Sequence, residues 1–222
     1  MKVLKEGYPF IFTPLAAAAL LLFIRQTGFF VNRPALAAVV LVLAVVSVVF
    51  AMFCAFFFRD PKIEVTAGEN IVLSPCNGTV MNVEEGQNEK IVRVFLSVFS
   101  VHLQRSPVAG RVTDVKHQKG KFLMAWDPAA HSLNEQNIIT IAGKDGVYTV
   151  KQIAGFLARR CVSWVKPGDE LAIGDKIGMI KFSSQVNLYM PLETEISVKA
   201  GDKVEAGVTV IGTKKTSEKA VD

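Results

Sequence analysis

The chain has 222 residues, a formal net charge of +5 and a hydrophobic fraction of 50%. No block of Lys and Arg interleaved with aromatics appears, so a nucleic-acid partner is not expected. The three cysteines (Cys54, Cys76, Cys161) form no CxxC and no Cys/His cluster, so no metal site is expected, and their number neither demands nor excludes an oxidising compartment. The mild basic balance suits anionic lipid headgroups and equally suits an ordinary solvated surface.

The apolar excess is concentrated in residues 8–58. Residues 8–24 (YPFIFTPLAAAALLLFI) and 34–58 (PALAAVVLVLAVVSVVFAMFCAFFF) carry no charge. A helix needs about 20 apolar residues to cross about 30 Å of hydrocarbon. The second run meets that easily; the first is shorter and is interrupted by Pro14. RQTGFFVNR between them is polar enough to turn at an interface. Residues 1–61 are therefore expected to be a membrane anchor of two helices. No small-residue cleavage site follows the first run, which argues against a signal peptide. Two spans put the N-terminus and the rest of the chain on one side. Lys2, Lys5, Arg59 and Lys62 flank that side, against Arg25 and Arg33 at the turn, a bias toward a cytoplasmic domain at the cell membrane.

From residue 62 to 222 short runs of Val, Ile and Phe alternate with Gly, Pro, Asn and Asp, the pattern of a mainly β domain. Strands are expected over 71–73, 79–83, 91–98, 111–117, 137–142, 147–154, 177–181, 185–189 and 195–198, with one short helix near 155–160. Two internal similarities stand out. Ser74 to Val83 and Ser106 to Val115 both read S-P-x-x-G-x-V-x-x-V. Val165 to Gly174 and Val198 to Gly207 both read V-K-x-G-D-x-Φ-x-x-G, where Φ is apolar. Each Gly-Asp predicts a tight turn with positive φ or an Asx bond. The second unit resembles the hairpin of barrel-sandwich (lipoyl/biotinyl-type) folds. Asp175-Lys176 superficially resembles their modified lysine, although an ordinary turn lysine explains it as well.

Few residues suggest chemistry by type alone. His117 and His131 lie in polar runs and read as solvent-facing. His102 ends an apolar strand beside Arg105, where a histidine is more often structural. Ser183-Ser184 falls between two strands, as a turn, a bulge or a hydroxyl nucleophile. Several segments together, however, resemble the short, archaeal-type branch of the phosphatidylserine decarboxylases. They are Phe57-Phe58-Arg59-Asp60-Pro61, Leu73 to Val80, Phe95 to Gly110 around His102, Gln152 to Arg160, and Gly178-Met179-Ile180-Lys181-Phe182-Ser183-Ser184-Gln185-Val186-Asn187-Leu188-Tyr189-Met190-Pro191. They cover residues 57–212 in order and spacing.

This resemblance implies a self-cleaving proenzyme. The Ser184 hydroxyl would attack the carbonyl of Ser183, and the chain would part into a β chain 1–183 and an α chain 184–222. Ser184 would become a pyruvoyl group, a covalent cofactor acting as electron sink. The activity implied is decarboxylation of phosphatidylserine to phosphatidylethanolamine at the lipid bilayer; the sequence leaves open whether the chain also forms a homo-oligomer. His102 and the residue at position 77 would assist the serine, as in other triads. Two positions depart from the family. Asn77 stands where Asp is usual, and an amide cannot offset an imidazolium charge. Ser183 stands where Gly is usual. The alternative these departures keep open is a processing-deficient chain or a non-catalytic, membrane-tethered barrel-sandwich scaffold. A carrier domain modified at Lys176 is a more remote third.

Overall fold

Two apolar runs, each with proline in its first turn and no charge inside, form helices α1 (Tyr8–Arg25) and α2 (Pro34–Phe57). A proline there forfeits only an N–H that has no helical partner. At 1.5 Å per residue they are about 27 and about 36 Å long. In a computed structural model, which describes residues 2–124, 129–155, 160–181 and 184–214, α1 and α2 pack on each other within a compact unit, Met1–Lys62. Small side chains (Ala18, Ala44, Ala51, Cys54) are buried, while Leu20, Phe23, Val42 and Met52 stay exposed. Buried small residues let helices approach, and an apolar outer face is what hydrocarbon solvates. Strand β1 (Lys2–Val3) pairs antiparallel with β2 (Arg59–Asp60), so the two ends of the hairpin lie side by side. Arg33 and Arg59 each stack over a preceding ring, Phe29 and Phe56, at 3.9 Å.

The second unit begins at Ile63. Its strands in order are β3 (Ile71–Leu73), β4 (Gly78–Glu85), β5 (Glu89–Leu96), β6 (Leu103–Arg105) and β7 (Gly110–Gln118). After a one-turn helix α3 (Ala130–Leu133) come β8 (Gln136–Gly143), β9 (Gly146–Ala154), β10 (Arg160–Ser163), β11 (Glu170–Leu171) and β12 (Lys176–Lys181). The last are β13 (Ser184–Pro191), β14 (Thr194–Ile196), β15 (Lys203–Val204) and β16 (Val210–Lys214). A curled eight-stranded sheet has the order β11-β7-β8-β9-β13-β5-β4-β15. Two three-stranded sheets, β10-β12-β6 and β14-β16-β3, accompany it. The mainly β class with an N-terminal hairpin is thus the observed one. The helix expected near 155–160 falls on residues 156–159, outside the described residues, and Arg160 already belongs to a strand.

The internal similarities are structural. Leu73 N donates to Pro107 O, and Arg105 N donates to Pro75 O, so the two S-P segments pair with each other. Each then holds one V-K-x-G-D turn in the same way. Gly207 N donates to Ser74 O, and Gly174 N to Ser106 O; Gly201 N donates to Val80 O, and Gly168 N to Val112 O. The turns are as the sequence requires: Gly168 and Gly201 have φ of 99° and 94°. Asp169 and Asp202 accept from the backbone N of Lys166 and Lys199 at 3.0 and 2.9 Å. A duplicated half-unit is the physical content of the barrel-sandwich likeness. Lys176 is not at a free turn tip; it opens β12 and pairs with Arg105 of β6.

The inward face of the large sheet follows from register. Directly opposed residues of an antiparallel pair share a face. Val92, Val94 and Leu96 of β5 oppose Leu188, Val186 and Ser184 of β13, which oppose Val150, Gln152 and Ala154 of β9. The aliphatic members belong to one buried core with Ile139, Ile141 and Ile180. Ser184 and Gln152 are thus polar insertions into an apolar face.

Candidate active site

The large sheet collects one end of each central strand near Ser184. Ser184 opens β13 and is flanked by Leu96, the last residue of β5, and Ala154, the last of β9. It is fully buried (0% exposed). Its Oγ finds no hydrogen-bond partner among the described residues. A buried hydroxyl left unmatched costs about 1–3 kcal/mol, so a core serine here is not explained by packing. Position 183 lies outside the described residues.

His102 follows the turn that leaves β5 and directly precedes β6. It is 1% exposed. Its carbonyl accepts from Ile180 N at 3.1 Å, extending the β6–β12 pairing, and Ile180 lies four residues before Ser184. Gln104, two residues along the same extended segment, reaches the inward face of the large sheet at Gln152. Alternation along an extended chain gives His102 the same side. The imidazole Nδ1 lies 3.0 Å from the carbonyl of Ser100. A carbonyl only accepts, so Nδ1 carries a proton; in the neutral imidazole the lone pair then falls on Nε2, the tautomer of a general base.

Asn77 precedes β4, the strand beside β5, at the same end of the sheet. Its segment reaches the histidine strand through the Pro75–Arg105 hydrogen bond. Its Oδ1 accepts from Ala206 N at 3.3 Å, tying the S-P-x-N-G turn to the second V-K-x-G-D unit. In the uncleaved chain the proton on Nδ1 of His102 is therefore held by a backbone carbonyl, whatever the side chain at 77 contributes.

The thiols nearby are poor nucleophiles. Burial pushes the Cys76 thiol well above its ordinary range, against a smaller opposing effect of the Ser74 hydroxyl. Burial, with the nearby Glu135 carboxylate, pushes Cys161 up to about 12, partly offset by a backbone hydrogen bond. A thiol that stays protonated does not attack. Among the described residues no group of three His, Cys, Asp or Glu side chains is placed to hold a metal ion. His117 is exposed and His131 half-buried; neither approaches Ser184 in register.

The profile of the phosphatidylserine decarboxylases matches residues 50–212. A phosphatidylserine decarboxylase proenzyme of Solibacter usitatus is 37% identical over 95% of this chain and 96% of its own length. That of Symbiobacterium thermophilum is 39% identical over 95% and 94%, and that of Carboxydothermus hydrogenoformans 43% identical over 72% and 79%. The chain belongs to the phosphatidylserine decarboxylase family. In this member of the family a buried serine hydroxyl with no partner among the described residues thus opens a central strand. Sequence reading passed over three buried amides, Gln104, Asn137 and Gln152 (0, 4 and 0% exposed). The signal was available for the last: Gln152 falls in phase with Val150 and Ala154, an amide at an inward position of a strand.

Proposed function

We propose that this chain is a proenzyme that cuts itself between Ser183 and Ser184 and then converts phosphatidylserine to phosphatidylethanolamine. The observation that carries the reading is the sealed-in Ser184 hydroxyl at the head of β13, unmatched among the described residues, in a chain that aligns over 95% of its length with a proenzyme of that name. In the first step Ser184 Oγ adds to the carbonyl carbon of Ser183 and its proton passes to Nε2 of His102. The C–N bond breaks, the proton moves to the released amine, and an ester replaces the amide. Loss of the Cα proton of residue 184 then expels the β chain as a carboxylate. The residue left at the head of the α chain takes up water and releases ammonia. His102 serves as the proton carrier throughout.

The pyruvoyl group so formed supplies a carbonyl that takes up the electrons released with CO₂. The orphaned serine fits that group, since the hydroxyl that has no use in the finished fold is the atom that disappears. The remaining work falls to the chain itself. β13 holds the new terminus between β5 and β9, and the buried face around it excludes water.

The two apolar helices supply membrane attachment. Lifting a two-chain lipid out of a bilayer costs about 0.8 kcal/mol per exposed CH₂, so an enzyme held at the surface can engage the headgroup while the acyl chains stay in place. The flanking lysines and arginines favour a cytoplasmic catalytic unit. The full chain, incubated until cut, is expected to release CO₂ from phosphatidylserine vesicles and none from phosphatidylcholine vesicles. Release that is absent although cleavage is complete would refute the assigned substrate.

A further inference from the structure

The serine and histidine stand on two different sheets, and a line of buried amides joins those sheets. On the large sheet His117, Asn137 and Gln152 are opposed in register across β7, β8 and β9. His117 Nδ1 is 2.7 Å from Asn137 Oδ1. Asn137 Nδ2 donates to Gln152 Oε1 at 3.1 Å. Gln152 Nε2 donates to Gln104 Oε1, on the small sheet, at 2.7 Å. Gln104 Nε2 donates to the carbonyl of His102 at 2.8 Å. Room for the crossing comes from Gly178, where a Cβ would lie 2.8 Å from Gln152 Nε2.

The line has a direction. Every amide oxygen accepts from the His117 side, and every amide nitrogen donates toward His102. The His102 carbonyl sets that direction, because it can only accept; with the amides so oriented Asn137 presents Oδ1 to His117, whose Nδ1 answers as the donor. Turning over any one amide sets oxygen against oxygen. Gln104 and Gln152 are fully buried, so water cannot repair such a fault. The His102 carbonyl is thereby gripped from two sides, by Gln104 and by Ile180 N, and Ile180 leads to Ser184.

We infer that Gln104 and Gln152 are positioning residues for self-cleavage: their one-way amide line fixes the backbone of His102 relative to the strand that presents Ser184. The inference rests on the self-cleavage proposed above. It predicts that the donor on Gln104 matters, beyond the volume of its side chain. Gln104→Glu keeps that donor only while the new carboxyl is protonated, when it still accepts from Gln152 and donates to the His102 carbonyl. Gln104→Leu has no donor at any pH. Other titratable groups along the line are His102, His117 and Cys161, the last with its thiol pushed up to about 12, so each variant is compared with the parent at the same pH.

The test is the rate of appearance of the two fragments from full-length proenzyme in detergent, between about pH 5.5 and 9. Q104L is expected to be about tenfold or more slower than the parent throughout, the size of one lost hydrogen bond in a buried setting. Q104E is expected within about threefold of the parent at the acid end, and to fall about tenfold behind as its carboxyl, raised by burial, ionises. Should Q104L fail to fold by circular dichroism, the Q104E series decides alone, and Q152E, whose protonated carboxyl accepts from Asn137 and donates to Gln104, repeats it. Parental rates for both Q104 variants, or no pH-dependent difference between them, would overturn the positioning role while leaving self-cleavage intact. A parent that never cuts removes both.

Discussion

Ser184→Ala is expected to abolish maturation and leave the fold unharmed. The chain should remain a single 24.2 kDa species under conditions in which the parent parts at residue 184. A loss greater than about 10⁴-fold is expected, because no nucleophile replaces the hydroxyl. The thiols of buried Cys76 and half-buried Cys161 cannot stand in, held protonated by their surroundings. Thermal stability should move the other way. Removing a buried hydroxyl that matches nothing relieves a penalty of about 1–3 kcal/mol and opens little space, so the variant should melt at the parental temperature or above. Fragment gels and a melting curve on the same sample separate a chemical role from a structural one. A Ser184→Ala chain that still divides would remove the serine from its assigned place.

The second large effect belongs to His102. Its ring is buried, its Nδ1 proton is held by the Ser100 carbonyl at 3.0 Å, and in the neutral imidazole Nε2 then has the lone pair a general base requires. His102→Gln keeps a polar side chain of comparable length and removes the base. Self-cleavage should slow by about 10²–10⁴-fold, the usual worth of positioned proton transfer. Because Ser184 remains, slow cleavage should persist and still begin the new fragment at residue 184. Cleavage of His102→Gln at the parental rate would shift the base role elsewhere.

The hairpin was legible because an uncharged run of 17 or more residues has few other stable fates, and α1 and α2 begin and end within one residue of the expected 8–24 and 34–58. The paired G-D turns were equally plain, since positive φ at glycine and an Asx bond are local properties, observed at Gly168, Gly201, Asp169 and Asp202. What the repeats do was less accessible. The Pro75–Arg105 and Leu73–Pro107 hydrogen bonds join residues about 30 positions apart, and no local pattern signals them. Ser184 and His102 were candidates through likeness to a family alone, since their spacing of 82 residues says nothing until two sheets stack. The Ser100 carbonyl as the imidazole's partner was invisible for another reason: it is a backbone atom in a turn, and side-chain reading looks for Asp. Asn77, the residue at the family's Asp position, accepts through Oδ1 from the backbone at Ala206.

The departures at 77 and 183 offer the sharpest trial of the whole account. Asn77→Asp would retain the acceptor for Ala206 N and add the negative charge that an imidazolium nearby would use; Ser183→Gly would restore a residue without Cβ at the scissile carbonyl. The deciding measurement is the intact mass of the full chain and of the Asn77→Asp/Ser183→Gly chain after prolonged incubation. Cleavage should yield residues 1–183 and a fragment starting at 184 whose terminus carries a carbonyl in place of an amine and resists amine-directed labelling. The double variant should reach that state at least as fast as the parent. Both chains persisting whole at full mass, with no CO₂ released from phosphatidylserine, would contradict the account.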